Sequence, residues 1–104
     1  MASPELQERW RRTAELLRDA RSHLSEAAEG IGADEIAEFE DHLGHNELEL
    51  ALDSLESAVF RSGLESSRIL EFLISAAESM DLQRHVARYR SVIGSTRQDT
   101  GQGW

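Results

Sequence analysis

Two histidines near the middle of the chain, His42 and His45, are the side chains best suited to metal chemistry. Glu38 lies one helical turn before His42, and Glu47 follows His45, so imidazole and carboxylate ligands for zinc or iron are close in sequence. Helical metal sites usually place both histidines on one continuous helix, however, and Gly44 falls between these two. Polar residues at a helix junction explain the same pattern. We therefore predict no metal or cofactor site, and a metal-dependent enzyme using the two histidines is the weakest alternative.

The sequence lacks the other residue patterns that carry catalysis. It has no cysteine, which excludes thiolate nucleophiles, disulfides and cysteine-based metal sites. Its serines have no His–Asp partner pattern and no nucleophile-elbow glycines. There is no glycine-rich phosphate loop and no EF-hand spacing. Acid–base catalysis needs a buried or closely paired carboxyl, and carboxylates are too common here for any one pair to stand out. We predict that the protein is not an enzyme.

Negative charge is concentrated in one part of the chain. The formal net charge is −9, and residues 22–60, which we call the acidic segment, contain no Lys or Arg. A field of this sign repels nucleic acid and anionic lipid and attracts basic proteins. The alternative is that the acids serve only solubility. The acids of the segment are Glu26, Glu29, Asp34, Glu35, Glu38, Glu40, Asp41, Glu47, Glu49, Asp53 and Glu56.

Arginines lie on both sides of the acidic segment. One group occupies residues 9–21 and the other residues 84–97. Acids interleaved with the first group offset its charge, and the net field opposes the approach of phosphates. We therefore predict salt-bridged helix surfaces and no nucleic-acid binding.

Apolar residues recur at helical spacing through most of the chain. A 3-4 stripe predicts a first helix from Pro4, capped by Ser3, to Gly30–Gly32. Further helices are predicted over residues 34–43, 46–63, 66–80 and 82–93, with no strand. The fold class is thus all-α, a small bundle of four to five helices in one domain, residues 1–93. Residues 94–104 have no periodicity and are predicted to be a flexible tail.

Three local features refine this prediction. Asp34 is the expected cap of the second helix, and Asn46 with Glu49 resembles a capping box at the start of the third. The helix over residues 66–80 is apolar around more than half of its circumference. A helix of that kind should lie in the middle of the bundle.

Leu50 and Phe60 point away from the predicted core of the third helix, on the side of Asp53. Two large apolar residues among acids would form anchors and a charged rim for a partner protein. The alternatives are that another layer of the bundle or a homodimer covers them. The predicted partner-binding residues are Glu38, Asp41, Glu47, Glu49, Leu50, Asp53, Glu56 and Phe60.

The stretch EFEDHLGHNELELALDSLESA, residues 38–58, resembles a segment of the MafI-type immunity proteins of bacterial polymorphic toxin systems. These small helical proteins have a short helix, a polar junction similar to residues 45–47 and then an amphipathic helix. SSRILEFLISAAESMDL, residues 66–82, is similar to their closing helix, although Met80-Asp81-Leu82 stands where a glycine is expected. The resemblance implies a stoichiometric inhibitor that binds a cognate toxin, many of which are nucleases with basic clefts.

Charge and resemblance lead to the same hypothesis, an immunity-like protein that neutralises a basic toxin through an acidic helical surface. The alternative is a homodimeric structural or assembly module, in which the stripe containing Trp10, Leu17 and Leu24 pairs with its twin. No secretory signal and no apolar run long enough to span a bilayer are found, which favours a cytoplasmic protein.

Overall fold

The computed structural model describes residues 3–63 and 67–101, and the side chains of residues 3–63 and 67–94. All regular secondary structure in these ranges is helical, which confirms the all-α prediction, but there are six helices rather than four to five. The helices are α1 (Pro4–Ser22), α2 (Glu26–Ile31), α3 (Ala33–Gly44), α4 (Leu48–Arg61), α5 (Ser67–Ser79) and α6 (Gln83–Gly101).

The extra helix arises because the predicted first helix is two helices. At the end of α1, the Ser22 hydroxyl donates to the carbonyl of Asp19 at 2.6 Å, and His23 Nδ1 contacts the same carbonyl at 2.8 Å. The Ser25 hydroxyl then accepts the N–H of Ala28 at 3.1 Å and caps α2. Polar side chains thus satisfy backbone groups that a continuous helix would have paired internally.

Of the predicted caps, only the first is confirmed. Ser3 accepts the N–H of Leu6 at 3.1 Å at the start of α1. The prediction that Asp34 caps the next helix is wrong, because the N-cap of α3 is Gly32 and no side chain bonds to the backbone there. Asn46 was also wrong: it has a φ of 59°, and Glu47 is the N-cap of α4. Asn tolerates the left-handed conformation, so it turns the chain between the helices.

The wide apolar arc of α5 predicts a central helix, and α5 does pack against three others, but α4 has more neighbouring helices. The neighbours of α5 are α1, α4 and α6, and those of α4 are α1, α2, α3 and α5. One connected cluster of buried side chains includes members of α1, α3, α4, α5 and α6. Its large fully buried members include Leu17, Phe39, Leu52, Leu55, Leu70, Leu73 and Tyr89.

The last helix extends further along the chain than predicted. Helix α6 continues to Gly101, past the boundary predicted after residue 93, and residues 102–104 lie outside the described part of the chain. Residue 66, at which the predicted fourth helix begins, also lies outside it. None of the helices in the described ranges is both long and apolar enough to cross a bilayer.

The turn between α2 and α3 packs closely on α4. A Cβ added to Gly32 would lie 2.9 Å from Ala58 Cβ and 3.1 Å from Ala58 Cα. Real Cβ atoms essentially never lie closer than 3.0 Å to another heavy atom, so α4 and the turn would have to move apart. Gly30, two residues earlier, would meet nothing within 4 Å.

Gly32→Ala is therefore expected to lower the free energy of unfolding by about 1–2 kcal/mol, because overpacking forces a backbone shift. The matched control, Gly30→Ala, adds the same methyl group in open space and should leave stability unchanged or raise it by up to about 1 kcal/mol. Chemical denaturation followed by helical circular dichroism measures both. Equal effects of the two substitutions would contradict this account of the α2–α4 contact.

Candidate partner-binding surface

Arginines from outside the acidic segment contact some of its carboxylates. Arg21 of α1 lies 2.7 Å from a carboxylate oxygen of Glu29 and 3.4 Å from one of Glu40. Arg61, at the end of α4, donates to Glu35 and lowers the pKa of that carboxyl. Such pairs are partly exposed and contribute little to stability, but they reduce the negative charge available to a partner.

Glu56 is held by two groups of α6. Its Oε1 accepts from Arg88 Nη2 at 2.5 Å and from the Tyr89 hydroxyl at 2.6 Å. Tyr89 is fully buried, and burial followed by the bond to Glu56 raises the pKa of its hydroxyl. The hydrogen bond that Arg88 itself donates to Glu56 raises the pKa of the guanidinium. The carboxylate of Glu56 already has two partners within the chain. We therefore infer that it links α4 to α6 and is less available to a binding partner than the exposed acids.

His42 and His45 each bond to a neighbouring acid rather than to each other. His42 Nδ1 lies 2.9 Å from Oε1 of Glu47. His45 Nδ1 lies 2.8 Å from the backbone carbonyl of Asp41 and 3.7 Å from its carboxylate, and these contacts raise the pKa of His45. Neither histidine belongs to a group of three close metal-ligand side chains in the described residues. Their structural role is at the α3–α4 junction.

The region around α2, α3 and α4 still carries an excess of negative charge. Eleven carboxylates of the acidic segment face three contacting arginines, Arg21, Arg61 and Arg88, an excess of eight when histidines are neutral. Among the described residues, four of these acids have no hydrogen-bond or ion-pair partner. They are Glu26, Asp34, Glu38 and Glu49.

Large apolar side chains are exposed in the same region. Leu50 is 47% exposed and Phe60 is 37% exposed, both on α4, and Ile31 at the end of α2 is 52% exposed. On a helix, residues 50 and 60 lie within about a quarter-turn of each other, so they share one side of α4. Glu38, Asp41, Glu47 and Glu49 are exposed as well, while Asp53 is half-buried.

The polar seam between α4 and α6 was missed by the sequence analysis. Asp53 Oδ1 lies 2.8 Å from His85 Nε2, and Glu56 contacts Arg88 one helical turn further on. Both pairs are separated by 32 residues, so α4 and α6 run in the same direction there. The only signal in the sequence is a shared spacing. Asp53 and Glu56 on α4 are three residues apart, and so are His85 and Arg88 on α6.

The face predicted for homodimerisation is used inside the chain. Thr13, Leu17 and Ala20 of the α1 stripe are fully buried, and α1 packs on α5 and α4. The Thr13 hydroxyl also donates to the carbonyl of Arg9, and it lies 2.5 Å from the Ser79 hydroxyl on α5. A dimer through this stripe would require the monomer to open, so a second copy would have to use another surface.

No protein-family model, curated protein or solved structure matches this chain. The resemblance to MafI-type immunity proteins therefore stays a prediction.

Proposed function

We propose that the protein binds a basic protein through the outward sides of α3 and α4, and that this partner is a cognate bacterial toxin domain which it neutralises. The observation that carries the proposal is the pair of exposed apolar residues, Leu50 and Phe60, on a helix that also bears the exposed acid Glu49. Exposed apolar side chains within a charged rim are typical of protein interfaces. The toxin class of the partner rests on the resemblance of residues 36–82 to the immunity proteins.

Electrostatics supports the choice of a basic partner. The arginine contacts lower the negative charge of the region but leave most of its carboxylates in excess. Complementary charge speeds association and excludes wrong partners, whereas buried apolar anchors supply most of the affinity. In this scheme Glu38, Asp41, Glu47 and Glu49 steer the partner. Leu50 and Phe60 then fill apolar depressions on it.

The proposal is tested with a toxin domain encoded beside the gene for this protein, used as the binding probe and as the growth inhibitor in a co-expression assay. The triple variant Glu38→Lys, Asp41→Lys, Glu47→Lys is expected to bind about tenfold or more weakly, mainly through slower association. The salt dependence of the association rate should flatten, and protection of growth should weaken. Surface plasmon resonance at several salt concentrations measures the rates.

A second triple variant controls for total charge. Glu5, Asp19 and Glu71 are exposed acids on α1 and α5, without an ion pair among the described residues, and their reversal to Lys changes the net charge equally. Affinity in this control should stay within about twofold of the wild type, because charges beyond a Debye length are screened. Equal losses in the two variants, or no binding by the wild type, would reject the proposed surface.

A further inference from the structure

Three potential metal-ligand side chains from two helices converge beside the α4–α6 seam. Glu49 and Asp53 are one turn apart on α4, and His85 comes from α6. One ligand atom from each residue lies within 4.8 Å of the other two. Among the described residues this is the one group of three such side chains with that geometry. Neither His42 nor His45, the histidines that the sequence pattern indicated, belongs to this group.

The imidazole of His85 is held in place by the fold. Its side chain is only 15% exposed, and its ring meets that of Tyr89 edge-on with 6.2 Å between centroids. Tyr89 is itself fixed by burial and by its bond to Glu56. Nε2 of His85 points towards Asp53 Oδ1 at 2.8 Å. The nitrogen ligand is therefore preorganised, which lowers the conformational cost of binding an ion.

The charges at this position are not balanced within the described residues. Glu49 is exposed and has no hydrogen-bond or ion-pair partner there, and the nearby guanidinium of Arg88 is engaged by Glu56. Two carboxylates thus face one imidazole. A divalent cation would satisfy both carboxylates at once and would replace the Asp53–His85 hydrogen bond with two ligand bonds.

We propose that Glu49, Asp53 and His85 bind a borderline divalent transition-metal ion of the zinc class. One imidazole nitrogen with two carboxylate oxygens suits such an ion, whereas Ca²⁺ and Mg²⁺ prefer oxygen ligands alone. Ligand atoms about 2.0–2.2 Å from zinc at tetrahedral angles lie roughly 3.3–3.6 Å from one another, so the 2.8 Å between Asp53 Oδ1 and His85 Nε2 would have to open slightly. The side chains of Glu49 and Asp53, both more exposed than His85, would make this adjustment. On binding, the imidazole proton resides on Nδ1 and Nε2 becomes the ligand.

The site would join α4 to α6, so ion binding should stabilise the fold. The assay is isothermal titration calorimetry of ZnCl₂ into the full, metal-free chain at physiological salt, with thermal unfolding as a second readout. We expect one ion per chain and a rise in the unfolding midpoint with zinc. His85→Gln, Asp53→Asn and Glu49→Gln should each weaken binding about tenfold or more and reduce the rise in the midpoint.

Glu49→Gln keeps the test decisive, because this exposed side chain makes no contact on which folding depends. The matched controls are His45→Gln and Glu38→Gln, an exposed imidazole and an exposed carboxylate away from the group. Zinc affinity in the controls should stay within about twofold of the wild type. No binding by the wild type, or equal losses in controls and ligand variants, would overturn the site. Because the assay contains no other protein, its outcome is independent of the proposed toxin binding.

Discussion

Leu73→Ala is expected to lower the free energy of unfolding by about 2–5 kcal/mol. Leu73 is fully buried on α5, the helix that packs against α1, α4 and α6 together. Its truncation removes apolar contacts and leaves a cavity that three neighbouring helices cannot all move to fill. Domains of this size are stable by about 5–15 kcal/mol, so one substitution would remove a large share of the total.

The adjacent residue provides the control for this prediction. Ile74 is only half-buried at the edge of the same cluster, so Ile74→Ala removes a similar volume with part of the cost. Chemical denaturation followed by circular dichroism should show a clearly smaller shift of the midpoint for Ile74→Ala. If the two substitutions cost the same, Leu73 is not the more deeply buried of these two side chains.

The burial of α5 against several helices could be predicted, because an apolar face is recorded directly in the spacing of its residues. The division between α1 and α2 could not, since the 3-4 stripe runs on through Leu24, which packs against the core from the connecting turn. The break depends on which backbone groups form hydrogen bonds with the side chains of Ser22, His23 and Ser25. Apolar periodicity carries no information about that choice.

The candidate surface was predictable in part for the same reason. Helical spacing placed Glu38, Glu49 and Leu50 on outward faces, and the structure leaves them exposed. It could not tell which acids would meet distant cations. Arg21 reaches Glu40 across nineteen positions, and Glu56 meets Arg88 across thirty-two. Those pairings depend on helix order and register, which a single sequence does not fix, and they decide which carboxylates remain available to a partner.

Glu56→Ala is expected to lower the free energy of unfolding by about 2–3 kcal/mol, because it leaves the buried hydroxyl of Tyr89 without its charged acceptor. Glu49→Ala, an exposed acid on the same helix, should change stability by no more than about 0.5 kcal/mol. Glu56→Gln should fall between them, since an amide oxygen can still accept from Tyr89. Chemical denaturation measures all three. If Glu56→Ala affects stability as little as Glu49→Ala, the bonds of Glu56 to Arg88 and Tyr89 do not stabilise the fold.

A second measurement tests whether the stability lost in Glu56→Ala comes from the bond between Tyr89 and Glu56. The chain has a single tyrosine, so the absorbance of ionised phenol reports Tyr89 alone. Its raised pKa means that the unfolded state releases the phenolic proton first, so stability falls as the pH rises above about 10. In Glu56→Ala the hydroxyl should ionise at a lower pH than in the wild type, yet still above its ordinary range, because burial is the larger cause of the shift.

In a Tyr89→Phe background the cost of Glu56→Ala should shrink by about 1 kcal/mol or more, since there is no longer a buried hydroxyl to leave without an acceptor. An undiminished cost would place the role of Glu56 in its contact with Arg88 instead.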